Sequence, residues 1–68
     1  MPERLANSLK EKRLALGLTQ AELAEHVGVT RKTINTVENG VFVPSTLLAL
    51  KLARALSEPV ELLFRIED

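Results

Sequence analysis

Two helix-start signals stand eleven residues apart in this chain, and they leave little freedom for what lies between them. Thr19, Gln20, Ala21 and Glu22 form a capping box: the Thr19 hydroxyl accepts from the Glu22 N–H, and the Glu22 carboxylate reaches back to the Thr19 N–H. Leu18 and Leu23 flank the box at the spacing of a hydrophobic staple. Gly28 stops the helix so begun. Only Gly28 and Val29 then precede Thr30, a second cap, around which Val29 and Ile34 repeat the staple spacing. A connection that short forces a sharp turn between two short helices. Residues 19–40 therefore predict a helix-turn-helix, with the remaining elements holding it in place.

The flanking sequence predicts three further helices. The first runs from residue 2 or 3 to residue 16, with Pro2 tolerated in its first turn and Glu3 suited to the positive end of its dipole. Leu5, Leu9 and Leu16 fall on one stripe at helical spacing, and Gly17 ends the run. The third helix spans residues 31–39, with Ile34 and Val37 inward, and Gly40 closes it. Val41, Phe42 and Val43 form an apolar connection to Pro44 and Ser45. Ser45 caps a fourth helix over residues 46–56, whose apolar face is Leu48, Ala49, Leu52, Ala53 and Leu56. Pro59 breaks that helix by restricting its predecessor, and opens a short fifth helix over residues 59–64. Residues 65–68 are expected to fray. The fold expected is all-α, a compact five-helix bundle forming a single domain over residues 1–68.

Composition removes several classes of function. No cysteine is present, so disulfides and thiolate metal sites are excluded. No apolar run approaches the ~20 residues of a membrane helix, and the charged N-terminus lacks the apolar core of a signal peptide. A soluble, cytoplasmic protein without membrane contact is the expectation. His26 stands alone, and Ser8, Ser45 and Ser57 have no base beside them, so neither a metal, a cofactor nor an enzymatic activity is expected. Net charge is zero, but residues 1–57 carry eight Lys/Arg against five Asp/Glu. The last eleven residues carry Arg65 against Glu58, Glu61, Glu67 and Asp68. The neutral total thus hides a basic excess on the helix-turn-helix side.

The outward side chains of the third helix match base edges in a DNA major groove. Arg31 or Lys32 suits the paired acceptors of guanine; Asn35, or Gln20 from the second helix, suits the acceptor and donor of adenine; Thr33 and Thr36 suit a thymine methyl or a phosphate. An ordinary solvated helix face is the competing reading for any one of them.

With those residues laid out, the sequence resembles the Cro/repressor family, also called Xre. LTQAELA, then GVTRKTI, then ENG carry the resemblance, which continues through PSTLLALKLARAL and PVELLF and so covers nearly the whole chain. It implies a five-helix bundle of the phage-repressor DNA-binding type, and a transcriptional regulator acting on double-stranded DNA. By position, Gln20 matches a residue that contacts the DNA backbone and often a base. Thr30 matches a cap that also touches phosphate. Arg31, Lys32, Thr33, Asn35 and Thr36 match the outward face of the recognition helix, and Asn39 a backbone contact. Arg13 and Glu38 match a salt bridge between the first and third helices; a surface acid at a helix end is the alternative for Glu38. Three positions depart from the pattern. Val41 stands where a basic residue is common, Ser57 where glycine is usual, and Glu58 where an apolar residue is common.

Phe42, Val43, Val60, Leu63, Phe64 and Ile66 are more apolar surface than a 68-residue bundle readily hides. They predict a homodimer through the connection after Gly40 and the C-terminal helix, which would set two recognition helices about 34 Å apart on a palindrome. The alternative is that they close the monomer's own core. A repressor is the functional expectation, with no small-molecule effector evident. An antitoxin whose main ligand is a protein, and an interaction bundle with no DNA role, are the rivals.

Overall fold

Three of the helices start on a hydroxyl. The computed structural model describes residues 3–68. In it the Thr19 Oγ1 accepts from the Glu22 N–H at 3.0 Å while the Thr19 N–H donates to Glu22 Oε1 at 2.8 Å, completing the capping box that opens α2 (Gln20–Val27). That backbone hydrogen bond, then the Thr19 hydroxyl, hold the exposed Glu22 carboxyl below its ordinary pKa. The Thr30 hydroxyl opens α3 (Arg31–Glu38) by accepting from Thr33, and the Ser45 hydroxyl opens α4 (Thr46–Leu56) by accepting from Leu48. Such a cap contributes about 1 kcal/mol. Gly28 ends α2 in the left-handed conformation, at φ 73°. It hands the chain to Val29, whose N–H closes the turn on the Ala24 carbonyl.

The two ends of the chain differ from the sequence-based expectation. Residues 4–7 are not helical: β1 (Arg4–Asn7) pairs antiparallel with β2 (Phe64–Glu67), with Leu5 opposite Ile66 and Ala6 opposite Arg65. The all-α expectation is thereby corrected to five helices extended by a two-stranded sheet. The fraying expected of residues 65–67 is replaced by strand pairing. The expected start at Pro2 lies outside the described residues. Asn7 divides strand from helix. Its Oδ1 accepts from the Leu9 N–H at 3.1 Å, a local turn that competes with helix, and its Nδ2 donates to the Val37 carbonyl at 2.9 Å. α1 (Leu9–Ala15) begins only there, and Leu16 is its exposed C-cap, not a core residue. The fifth helix, α5 (Val60–Leu63), is a single turn that ends before Phe64 passes into β2.

Leu9, Leu23, Ile34, Val37, Leu52 and Leu63 are fully buried at the centre, joined by Ala24, Val27, Leu48, Ala53 and Leu56. α2 packs on α3 and on α4, α1 meets α3, and α4 meets α5. The staple residues Leu18 and Val29 lean on this cluster from its rim. No helix among the described residues is long and apolar enough to cross a membrane.

Ser57 stands where the resemblance implies a glycine. It caps α4 at φ 55°, ψ 41°, in the left-handed region, where a side chain costs about 1–2 kcal/mol relative to glycine. Ser57→Gly is expected to raise stability by about 0.5–1 kcal/mol in urea unfolding, the relief being partly offset by the freer unfolded chain. A loss of stability would mean that the Ser57 side chain contributes a contact that outweighs its strain. Glu58, next to it, is half-buried and reaches Lys12 at 3.8 Å, so an ion pair ties this corner to α1 where an apolar contact is usual.

Candidate nucleic-acid interface

The burial pattern of α3 separates two faces. Ile34 and Val37 are in the core; Arg31, Lys32, Asn35 and Asn39 are exposed, and Thr33 and Thr36 half-buried between them. The outward residues expected from the sequence thus lie on one side of one helix, held from behind by the core. Thr30 stands at the start of that face, its hydroxyl 3.1 Å from that of Thr33. Thr36 donates its hydroxyl to the Thr33 carbonyl at 2.9 Å, so its proton is used within the helix and its methyl and oxygen are what it can offer outward. Asn39 ends α3 as its C-cap.

Behind this face lies an ion pair. Arg13 grips Glu38 with two hydrogen bonds, Nε to Oε2 at 2.6 Å and Nη2 to Oε1 at 3.2 Å. The two side chains are only 7% and 3% exposed. Arg13 Nη1 also donates to the Leu18 carbonyl at 2.8 Å. One guanidinium thereby fixes α1, the entry to α2 and the end of α3 relative to each other. Its fork geometry suits this task better than an ammonium would.

Gln20 links the buried pair to the surface. Its Nε2 donates to Glu38 Oε1 at 3.0 Å and to Asn35 Oδ1 at 3.2 Å, while its Oε1 accepts from Arg31 Nη1 at 3.1 Å. Asn39 Nδ2 also donates to Asn35 Oδ1, at 3.2 Å. Five residues from three helices therefore form one network that runs from Arg13 to the exposed edge of α3, with Asn39 joined to it. Beyond the Arg13–Glu38 pair that the resemblance implies, the sequence identified its members but not their connection, because only the packing of α2 on α3 brings position 20 beside positions 31, 35 and 38.

Phe42, Val43, Val60, Leu63 and Phe64, the five residues expected at a dimer interface, divide, and Ile66 beside them is exposed. Phe42 and Val43 are exposed, at 48% and 67%. Val60 and Phe64 are half-buried against the core, and Leu63 is 0% exposed. Leu63 is therefore a core residue with no surface to give a partner, a correction that follows from α5 turning this side chain inward. Phe42, Val43 and Phe64 border one small cleft with Leu5, Val37 and Pro44. Leu14, Leu47, Leu50 and Leu62, not singled out in the sequence, are each more than half exposed. The chemistry available on these surfaces is hydrogen bonding, cationic charge and apolar contact. Among the described residues no group of His, Asp or Glu has the arrangement of a metal site.

Comparison with known proteins agrees with this geometry. A family model described as helix-turn-helix matches residues 9–63, a span that holds all five helices and leaves both strands outside. The HTH-type transcriptional regulator YgzD of Bacillus subtilis is 45% identical over 64 residues, covering 94% of this chain and 97% of that protein. An HTH-type transcriptional regulator of Methanothermobacter thermautotrophicus is 51% identical over 61 residues, 88% of each chain. The crystal structure of the restriction-modification controller protein C.AhdI from Aeromonas hydrophila superposes with a TM-score of 0.74 at 40% identity, over 78% of this chain and 80% of that one. With a capped α2, a two-residue turn and an outward polar α3 on the same scaffold, the chain belongs to the Cro/repressor-type helix-turn-helix family.

Proposed function

We propose that the protein is a sequence-specific DNA-binding transcriptional regulator, a repressor that occupies a palindromic operator as a homodimer and reads it through the major groove. The observation that carries this is the exposed edge of α3. Arg31, Lys32, Thr33 and Asn35 project from a helix whose other side is fixed in the core, with no acidic side chain among them. In this role α3 lies in the groove with its N-terminal residues deepest. Gln20, Arg31, Lys32, Thr33 and Asn35 face base edges, Thr36 turns its methyl toward a thymine methyl, and Thr30 and Asn39 face phosphates. The curated relatives are HTH-type transcriptional regulators, which supports the regulatory role. Repression follows from occupying promoter DNA.

The homodimer is supported by the exposed apolar residues after Gly40. Phe42, Val43 and the half-buried Phe64 adjoin one another around a cleft, and Leu47 and Leu50 extend apolar surface along α4. A twofold pair places two copies of α3 on successive major grooves. A role as a restriction-modification controller is the second reading, favoured by the structural likeness to C.AhdI. A restriction gene pair beside the coding sequence would distinguish it.

The test is binding to a duplex operator over a range of salt. Each phosphate neutralised by a Lys or Arg contributes about −0.9 to the slope of log K against log salt. A steep negative slope is expected. Affinity that does not respond to salt contradicts the proposal and favours a protein ligand.

A further inference from the structure

Glu38 sets the polarity of the binding face through hydrogen bonds that run one way. Its carboxylate, already gripped by Arg13, can accept but not donate. Gln20 must therefore meet it with the amide nitrogen, and does, at 3.0 Å. The carbonyl oxygen of that amide then faces Arg31, whose Nη1 donates to it at 3.1 Å. Turning the amide over would set oxygen against carboxylate at one end and nitrogen against guanidinium at the other, so both ends hold the same orientation. The remaining N–H of Gln20 goes to Asn35 Oδ1, which also accepts from Asn39 Nδ2. An amide oxygen has two acceptor sites, and both are now filled from within the protein. What Asn35 has left is its amino group, which has no hydrogen-bond partner among the described residues. Asn35 is exposed, so that amino group is available to a ligand.

We infer that Asn35 offers DNA donors only and selects a G·C pair, giving its amino hydrogens to the O6 and N7 acceptors of guanine, with Glu38 and Gln20 as the positioning residues that impose this. The inference rests on the proposed DNA-reading function. An asparagine that reads adenine must accept from N6 while donating to N7. Here the accepting oxygen is occupied, so the adenine assignment open on residue type alone is closed by the network. Thymine offers one acceptor beside a methyl, a poorer match to two amino hydrogens than the adjacent pair on guanine. Arg31 acts in the same sense: tied to Gln20 through one nitrogen, it presents only further donors.

Selection from random duplex DNA with the wild-type protein and with Asn35→Ala tests this. The base pair whose preference disappears in the variant is the one Asn35 reads. A G·C pair there is the expected result, with a preference over A·T of roughly fivefold or more. An A·T pair at that position overturns the inference while leaving the regulator reading intact, as does a variant that selects the same sequence as the wild type. A wild-type protein that enriches no sequence removes the regulator reading itself, and this inference with it. Gln20→Met supplies the second arm, since it keeps the side-chain length and removes both ends of the tie. It is expected to lower the G·C to A·T ratio at that one base pair, beyond any general loss of affinity. An unchanged ratio overturns the positioning role.

Discussion

Glu38→Ala destabilises the protein by about 3 kcal/mol, because it strands a buried cation. Arg13 is 7% exposed on its side chain, and two of its three hydrogen bonds go to Glu38. Without Glu38 its guanidinium keeps only the Leu18 carbonyl, and the Gln20 amide loses one of its two acceptors as well. A chain of this size shifts its midpoint by roughly 4–8 °C per kcal/mol, so a fall of about 15 °C in thermal unfolding is expected. The pair itself need not be a large source of stability. Removing both charges in Arg13→Met with Glu38→Leu should bring stability back toward that of the wild type, since well-packed apolar replacements of a buried pair are often neutral or better. A change below about 0.5 kcal/mol in Glu38→Ala would contradict the burial of the pair. On this account the pair holds the register of α1 against α3 and fixes the side chains above it.

Val43→Asp addresses the proposed dimer. Val43 is 67% exposed in the protomer and borders the cleft shared with Phe42 and Phe64. A carboxylate there costs the isolated protomer little, within about 0.5 kcal/mol for an exposed position. Across a twofold interface it would put two like charges near each other in apolar surroundings. The variant should sediment as a monomer, and its affinity for a palindromic operator should fall roughly a hundredfold or more, the avidity lost when two linked half-sites bind separately. Its affinity for a single half-site should stay at the wild-type value. A variant that remains dimeric would place the interface elsewhere, with the exposed Leu47 and Leu50 of α4 the next surface to test.

The parts legible in the sequence are those specified locally. Thr19, Thr30 and Ser45 cap helices because a hydroxyl and a backbone N–H two or three residues on are enough, and the structure has all three. The left-handed turn at Ser57 was pointed to by the resemblance alone, which has glycine there, and not by the local sequence. The paired ends were not legible. Leu5 and Leu9 have helical spacing, yet Leu5 faces Ile66 across a strand pair whose partners are some sixty residues apart. No local pattern encodes a contact at that distance, and only the Asn7 turn signals that the helix starts late. On the outward face of α3, residue types and positions could be read from helical spacing. The polarity of Asn35 could not, because it depends on Glu38 acting through Gln20 across two helices. Leu63 was misplaced for a similar reason: apolarity marks a residue for burial but does not say whether the protomer or its partner covers it.

The measurement that tests the account most directly is the sequence selected by the wild-type protein from random duplex DNA at near-physiological salt. A palindrome with half-sites about one helical turn apart, ~34 Å centre to centre, is the result expected for two copies of α3 in successive major grooves. A selected half-site without a twofold partner would contradict the dimer. Recovery of no sequence at all, with weak binding that vanishes as salt rises, would contradict DNA reading by α3.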